Sequence, residues 1–220
     1  MTRADVVMRY TGEQLDEADA DLCLQLIYMA RAFPLGKPVA LKRAALLEAM
    51  GRDTGKSQYQ WLHRRMKALT VATFFIEVSR KDGSTKYSIG HTEAFHIVQT
   101  FHYAPETETY VFTLDPRWHE LFSRREFALL DWNKRLQIKR GQEMAKTLQR
   151  LIATSSDPVQ HYALDWLMAK MQYLSPIRKF RCALNSAIRE LERLEIITSG
   201  RIDRSTKGKE QLSVWVPRSA

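Results

Sequence analysis

Apolar residues recur at helical spacing in each half of the chain, with polar residues between them. The longest stripe of the first half has intervals of three, four and three residues: Tyr59, Leu62, Met66 and Leu69. This spacing predicts a helix over residues 57–69. Shorter patterns predict a helix that opens with a capping box at Thr11 and Gln14, a short strand over residues 39–41 and a second helix through Leu47. The first half therefore begins with three helices and one short strand.

Strand patterns follow the third helix at residues 74–79, 85–89, 95–101 and 110–114. Asp82-Gly83 lies between the first two of them and is a typical hairpin turn. Arg80 and Lys81 make the tip of this hairpin basic. Three helices followed by a basic hairpin are the order of elements in a winged-helix domain, with the hairpin as the wing.

The second half repeats this order after a predicted boundary near residue 114. Helical patterns over residues 142–152 and 162–171 lead to Ser175-Pro176, where serine is a good N-cap and proline fits the first helical position. The next helix has the clearest apolar stripe of the chain: Phe180, Leu184, Ala187, Ile188, Leu191 and Leu194. Apolar residues 196–197 and 211–216 then frame a second basic wing. The sequence predicts an α+β fold of two tandem winged-helix domains, at residues 1–114 and 115–220.

Basic residues are in excess, and the excess lies in the second half. Of 220 residues, 34 are Lys or Arg and 25 are Asp or Glu, which gives a formal net charge of +9. Residues 1–112 contain 14 basic and 13 acidic residues, a net charge of +1, and the remainder contains 20 and 12, a net charge of +8. This asymmetry indicates a polyanion that docks on the second half. Charge alone fits equally well a soluble protein that happens to be basic. The order of the predicted helices, strands and wings is what favours DNA as the polyanion.

Candidate DNA contacts follow from the chemistry of the duplex. Arginine presents two donors to guanine and asparagine pairs with adenine, so Arg178, Arg181 and Asn185 are predicted to contact bases. Phosphate contacts are predicted for the other cations of the second helix and wing: Lys179, Arg189, Arg204, Lys207 and Lys209. Weaker contacts are predicted for the first half: Lys56, Ser57, Gln60, Arg64, Arg65 and Lys81. Each of the helical residues among them also fits the solvated face of an amphipathic helix. The whole set, repeated over two halves with wings, favours DNA.

Enzyme motifs are incomplete in this sequence. The loop Gly51 to Ser57 has three residues between its glycines where a phosphate-binding P-loop has four. The six histidines include no metal-binding pair flanking one apolar residue, and the two cysteines, Cys23 and Cys182, are far apart. We therefore expect no catalysis, no metal and no cofactor. A signal peptide and an apolar run of about 18 residues are also missing, so we expect a cytoplasmic protein that does not contact membranes.

Two segments resemble the TrfA-type plasmid replication initiators. Residues 10–26, YTGEQLDEADADLCLQL, with the following FPLGKPV, are similar to the opening of that family's first domain. Residues 178–197, RKFRCALNSAIRELERLEII, are similar to its second recognition helix and first wing strand. The resemblance implies tandem winged-helix domains that bind direct repeats (iterons) in a plasmid origin, with Arg178, Lys179 and Arg181 as the matching basic positions. It also implies the host initiator protein, the replicative helicase and the sliding clamp as partners, and a homodimer as an inactive form.

The sequence also departs from that family. Family members carry a basic N-terminal arm and a clamp-binding motif, whereas here Met1 lies nine residues before Tyr10. Gln211-Leu212-Ser213-Val214-Trp215 is superficially similar to the clamp motif, but it falls where the last wing strand is predicted. A winged-helix transcriptional repressor is the alternative function, distinguished by inverted rather than direct target sites, and a protein-interaction module is a third.

Overall fold

The computed structural model describes residues 6–80, 82–89, 95–118 and 128–217. The chain forms two compact units, Met1–Glu126 and Phe127–Ala220. Each unit combines helices with antiparallel sheets, as the α+β prediction requires.

The first unit contains a three-helix, three-stranded winged-helix core. Its helices are α1 (Glu17–Ala30), α2 (Arg43–Ala49) and α3 (Lys56–Val71). Strand β2 (Val39–Lys42) pairs with β7 (Thr109–Leu114), which in turn pairs with β6 (Val98–Ala104). The apolar stripes of the helices pack against this sheet, and Leu22, Leu46 and Leu62 are fully buried there.

A second sheet is built from the remaining strands of this unit: β1 (Val6–Thr11), β3 (Thr73–Ser79), β4 (Thr85–Ile89) and β5 (Phe95–His96). Strand β3 pairs with β1, β4 and β5. The hairpin that the sequence predicted as the first wing is formed, but it belongs to this sheet and is not the wing. The wing position, between α3 and the end of the core sheet, is taken by the β6–β7 hairpin.

Helix α1 begins later than the sequence predicted. Its N-cap is Asp16, whose Oδ1 accepts hydrogen bonds from the backbone N–H of Ala18 at 2.8 Å and of Asp19 at 3.0 Å. The Asp19 carboxylate accepts in return from the Asp16 N–H at 2.8 Å, which completes a capping box. The predicted cap at Thr11 is wrong because Thr11 ends strand β1 and pairs with Thr73.

The second unit has the same core. Its helices are α4 (Trp132–Leu136), α5 (Glu143–Ile152), α6 (Leu164–Lys170) and α7 (Ile177–Arg193). Its strands are β8 (Val159–Ala163), β9 (Ser199–Arg204) and β10 (Glu210–Trp215), and β10 pairs with both others. Two local predictions are wrong. Residues 196–197 precede strand β9 rather than form part of it. Ser175 is not the N-cap of α7, because Pro176 occupies that position without a side-chain hydrogen bond and the helix begins at Ile177.

The two units share one order of elements, as the sequence predicted. Helix α1, strand β2, helices α2 and α3, and the β6–β7 hairpin correspond in order to α5, β8, α6, α7 and the β9–β10 hairpin. The first unit differs by its second sheet, whose strands β3 to β5 are inserted between α3 and the wing. The tandem winged-helix prediction is confirmed, with this insertion as the unpredicted feature.

The division between the units falls later than the predicted boundary at residue 114. Trp118 still belongs to the first unit, because its ring lies 5.0 Å from the Phe95 ring and its indole N–H donates to the Ile97 carbonyl at 3.3 Å. The Asp115 carboxylate also contacts this unit, since it accepts a hydrogen bond from the His96 N–H of strand β5 at 3.1 Å. Across the described residues, no helix is both long enough and apolar enough to cross a bilayer.

Candidate nucleic-acid interface

Helix α7 separates an apolar side from a polar side. Phe180, Leu184 and Leu191 are fully buried, in the core of the second unit. On the opposite side a line of exposed residues recurs at intervals of four, three and four: Arg178, Cys182, Asn185 and Arg189. Lys179 is exposed beside this line. The polar side therefore offers arginine, lysine and asparagine groups from one straight element, the arrangement that fits a major groove.

Arg181 lies at the edge of this polar side, and one nitrogen of its guanidinium is already paired with a carboxylate. Its Nη2 donates to the Glu210 Oε2 at 2.5 Å, and its side chain is about as exposed as that of Glu210. The Arg181 Nε is buried without a hydrogen-bond partner among the described residues. A base contact by Arg181 therefore requires it to exchange the Glu210 carboxylate for an acceptor on the DNA.

The β9–β10 hairpin carries three further candidate cations. Its turn is closed by hydrogen bonds from the Gly208 N–H to the Ser205 carbonyl and from the Ser205 N–H to the Lys209 carbonyl, each 2.8 Å long. Gly208 has φ +75°, a conformation that favours glycine. The side chains of Arg204, Lys207 and Lys209 are exposed. This ordered hairpin is a basic wing at the position the sequence predicted.

Arg201 is a cation of the same hairpin that the prediction did not include as a contact. Its guanidinium lies 5.0 Å from the Trp215 ring centre and its Nε donates to the Asp203 carboxylate at 3.1 Å. The same carboxylate accepts from the Ser213 hydroxyl at 3.0 Å. Burial raises the pKa of Asp203, but hydrogen bonds from Gln211, Ser213 and Arg201 outweigh it and leave the pKa lowered. These contacts tie Arg201 to both strands of the wing, while its side chain remains 68% exposed.

Helix α3 of the first unit exposes Lys56, Ser57, Gln60 and Arg64, all as predicted from the sequence. Of these four, Lys56, Gln60 and Arg64 border a groove of about 820 Å³ between α3, α2 and the β6–β7 hairpin. Its other lining residues are Arg43, Tyr59, His63, Lys67, Tyr103 and Tyr110. The sequence did not indicate this groove, because Tyr103 on β6 and Tyr110 on β7 lie beside α3 only in the folded chain.

The charge of this groove comes from its arginine and lysine side chains. Burial raises the pKa of Tyr110 to about 12, and burial together with Lys67 lowers the pKa of His63. The two groups are linked by a 3.0 Å hydrogen bond between the His63 Nδ1 and the Tyr110 hydroxyl. Both are therefore neutral near pH 7. Arg43 stacks 3.8 Å from the Tyr59 ring centre and is paired with Glu108 of the hairpin turn.

Arg65 is not part of this surface, which corrects the sequence prediction. Its side chain is buried, with the residue 8% exposed, and two of its nitrogens donate to the Asp19 carboxylate of α1. A third contact reaches the Glu13 carboxylate at 3.3 Å. Arg65 lies three residues after Leu62 and four before Leu69, on the buried side of α3. It holds α3 against α1, and its burial keeps it out of the exposed side of the helix.

The predicted wing contact at Lys81 lies outside the described residues. The turn of the β6–β7 hairpin, which occupies the wing position, contains Glu106 and Glu108 rather than lysines. The first unit therefore presents an acidic turn where the second presents a basic one.

Trp61 of α3 is an aromatic residue that could stack on an unpaired base. Its ring centre instead lies 3.7 Å from the Arg52 guanidinium, which covers the ring.

No family model and no curated protein matches this chain. Among solved structures, a crystal structure of domains 2 and 3 of RctB from selenomethionine derivatives is similar over 98% of this chain and 88% of that one, with 12% identity and a TM-score of 0.65. A second crystal structure of RctB domains 2-3 covers 96% of this chain and 86% of that one, with 13% identity and a TM-score of 0.63. The WH1 domain of MSBI1.176, a replication protein isolated from a multiple sclerosis patient, covers 49% of this chain and 79% of that one, with 20% identity and a TM-score of 0.35. The similarity to RctB establishes a shared α+β fold over nearly the whole chain.

Proposed function

We propose that this protein binds double-stranded DNA sequence-specifically and initiates plasmid replication at direct repeats. One observation carries the proposal: the polar side of α7 and the basic wing of the same unit expose their cations together, in a winged-helix unit. A net charge of +8 in the second half attracts the phosphate backbone before any base is read. The sequence resemblance to TrfA-type initiators selects replication from the functions that winged helices perform.

The residues of α7 divide into two roles. Arg178 and Asn185 lie on the exposed line of the helix, where a fork of donors and an amide match guanine and adenine edges. Arg181 joins them after it releases Glu210. Phosphate contacts come from the exposed cations that flank this line or extend from the wing: Lys179, Arg189, Arg204, Lys207 and Lys209. The mechanism is binding and positioning, without a catalytic step of its own.

The first unit adds weaker contacts through α3. Lys56 and Ser57 lie at the exposed N-terminal end of that helix, where backbone N–H groups and the helix dipole favour a phosphate. Gln60 and Arg64 lie one and two turns further along. The acidic turn of the β6–β7 hairpin repels the phosphates that a basic wing would bind. The second unit therefore supplies most of the affinity and the base readout.

Partners beyond DNA follow from the resemblance. A cytoplasmic initiator that occupies tandem repeats would open the adjacent duplex and bring in the host initiator protein, the replicative helicase and the sliding clamp. The same resemblance implies a homodimer as the inactive form. The clamp-like residues 211–215 are committed to strand β10, where they pair with β8 and β9, so clamp recruitment requires another segment.

A gel-shift titration tests the proposal. The probes are duplexes with two direct repeats, the same half-sites inverted, and a shuffled control, each at two salt concentrations because phosphate binding falls steeply with salt. Stepwise complexes on direct repeats at the higher salt support the proposal. Preference for the inverted probe supports the transcriptional repressor instead, and equal binding to the shuffled probe removes sequence specificity altogether.

Arg178→Lys is the matched control for base readout in that titration. Lysine keeps the charge but loses the two-pronged donor geometry. We expect the variant to bind the shuffled probe like the wild type and to lose most of its preference for the repeats. A variant that keeps the preference would show that Arg178 contacts phosphate.

A further inference from the structure

The turn before α7 exposes an apolar side chain that the core does not explain. Leu174 is 97% exposed, and Ile177, the first residue of α7, is 37% exposed. Neither belongs to the hydrophobic core of the second unit. Exposed single leucines are common on protein surfaces, so their position matters more than their exposure.

The turn itself is ordered, so the exposure of Leu174 is a fixed feature. Tyr173, the preceding residue, packs on the core with its ring 5.1 Å from the Phe180 ring. The Tyr173 N–H donates to the Met168 carbonyl at 3.0 Å and the Gln172 N–H to the Ala169 carbonyl at 3.1 Å. Gln172 takes φ +50° to make this turn. Anchoring of Tyr173 leaves the next side chain pointing away from the core.

The location is the end of the helix that reads the groove. In helix-turn-helix proteins the N-terminal residues of the recognition helix contact base edges. Leu174 and Ile177 lie at that end, next to the exposed cations Arg178 and Lys179. A base contact by Arg178 and a phosphate contact by Lys179 would place base edges close to the apolar pair. The thymine C5-methyl group is the apolar feature that the major groove presents.

We propose that Leu174 and Ile177 recognise thymine methyl groups in the target site, and so add apolar specificity to the polar readout of α7. The inference rests on the proposed function, since it requires α7 to lie in a major groove. Each methyl buried against these side chains contributes roughly what one buried methylene contributes, which corresponds to about a fourfold change in affinity.

Replacement of single thymines by uracil tests the inference, because it removes the methyl group and nothing else. The probe is the duplex that the protein enriches from a randomised pool, and affinity is measured by fluorescence anisotropy. For the wild type we expect about a fourfold loss at one or two thymines and none at the others. In Leu174→Ala or Ile177→Ala the uracil substitution at the corresponding position should have no further effect.

Val159→Ala is the matched control, since Val159 is 38% exposed in the same unit but lies on strand β8. It should keep the full thymine dependence. Specific binding without any thymine dependence, or a dependence that survives in both Leu174→Ala and Ile177→Ala, overturns the inference and leaves the proposed function intact. Failure to enrich any sequence overturns both.

Discussion

Arg64 and Arg65 are adjacent on α3, and the structure assigns them opposite roles. Arg64 is exposed beside the groove, whereas Arg65 is buried against the Asp19 carboxylate, which is 1% exposed. Replacing each by methionine keeps a similar length and removes the charge. We expect Arg65→Met to destabilise the first unit without a specific effect on DNA, and Arg64→Met to weaken DNA binding without a change in stability.

The magnitude follows from what Arg65→Met leaves behind. Two donors to Asp19 and one to Glu13 disappear, and the Asp19 carboxylate keeps only the Asp16 N–H among its hydrogen-bond donors in the described residues. Breaking a buried ion pair from one side costs about 3–5 kcal/mol, because an uncompensated charge remains. The capping hydrogen bond from Asp16 persists, so we expect about 3 kcal/mol. Arg64→Met should change the free energy of unfolding by less than about 0.5 kcal/mol.

Urea denaturation followed by circular dichroism measures these changes, with DNA titrations below the unfolding transition. The double variant Asp19→Asn/Arg65→Met should be more stable than Arg65→Met, because it contains no unpaired buried charge and an asparagine still accepts from the Asp16 N–H. Arg64→Met should also lower the slope of log affinity against log salt by about one. If Arg65→Met unfolds like the wild type yet binds DNA as weakly as Arg64→Met, the placement of Arg65 is wrong.

Three further measurements address the second unit. Arg178→Ala should cost about 1–3 kcal/mol on the repeat and relax specificity locally, whereas Lys207→Ala should weaken binding to all sequences alike and flatten the salt dependence; equal effects in a filter-binding series would remove the division of roles. Hydrogen bonds from Arg193 lower the pKa of Glu190 from 4.5 to about 2. The contribution of Glu190 to stability is therefore present above pH 4.5 and is lost as the pH falls towards 2. In an acid titration, Glu190→Gln should lack the part of the stability loss that protonation of Glu190 causes in the wild type. Bound repeat DNA should protect Cys182, in the exposed line of α7, from maleimide, and alkylated protein should not bind; labelling at an unchanged rate with DNA present would place α7 outside the groove.

Helices were predictable because their signal is local. The stripe from Phe180 to Leu191 predicts the body of α7 and its buried side, and each member of the stripe is buried. The position of Arg65 was also available in principle, since it lies between Leu62 and Leu69 on the apolar side of α3. Its partner, Asp19, comes from another helix, and no local pattern connects the two.

Strand pairing was less predictable because it depends on distant segments. An Asp-Gly turn predicts the β3–β4 hairpin, but it does not state that β1 adds to β3 or that β2 joins β7 instead. Strands β1 and β8 were missed since each is short and lies beside a helix or turn signal that dominated the interpretation. The sequence therefore predicts the wing at the basic hairpin of residues 80–83, whereas the structure has it at β6–β7, where Tyr103 lines the groove.

The two units share one order of elements but differ in the charge of their wing turns. This difference indicates how much each unit should contribute to DNA binding. In the second unit the wing turn carries Lys207 and Lys209, and both extend into solvent. In the first unit the turn carries Glu108, which pairs with Arg43 and so neutralises one cation of the groove. Binding of phosphate at the groove must displace this carboxylate or leave Arg43 unused, whereas Lys207 and Lys209 have no carboxylate partner among the described residues. Under the proposed function we therefore expect the second unit to supply the long-range attraction and the first stable contact, and the first unit to engage DNA that is already bound.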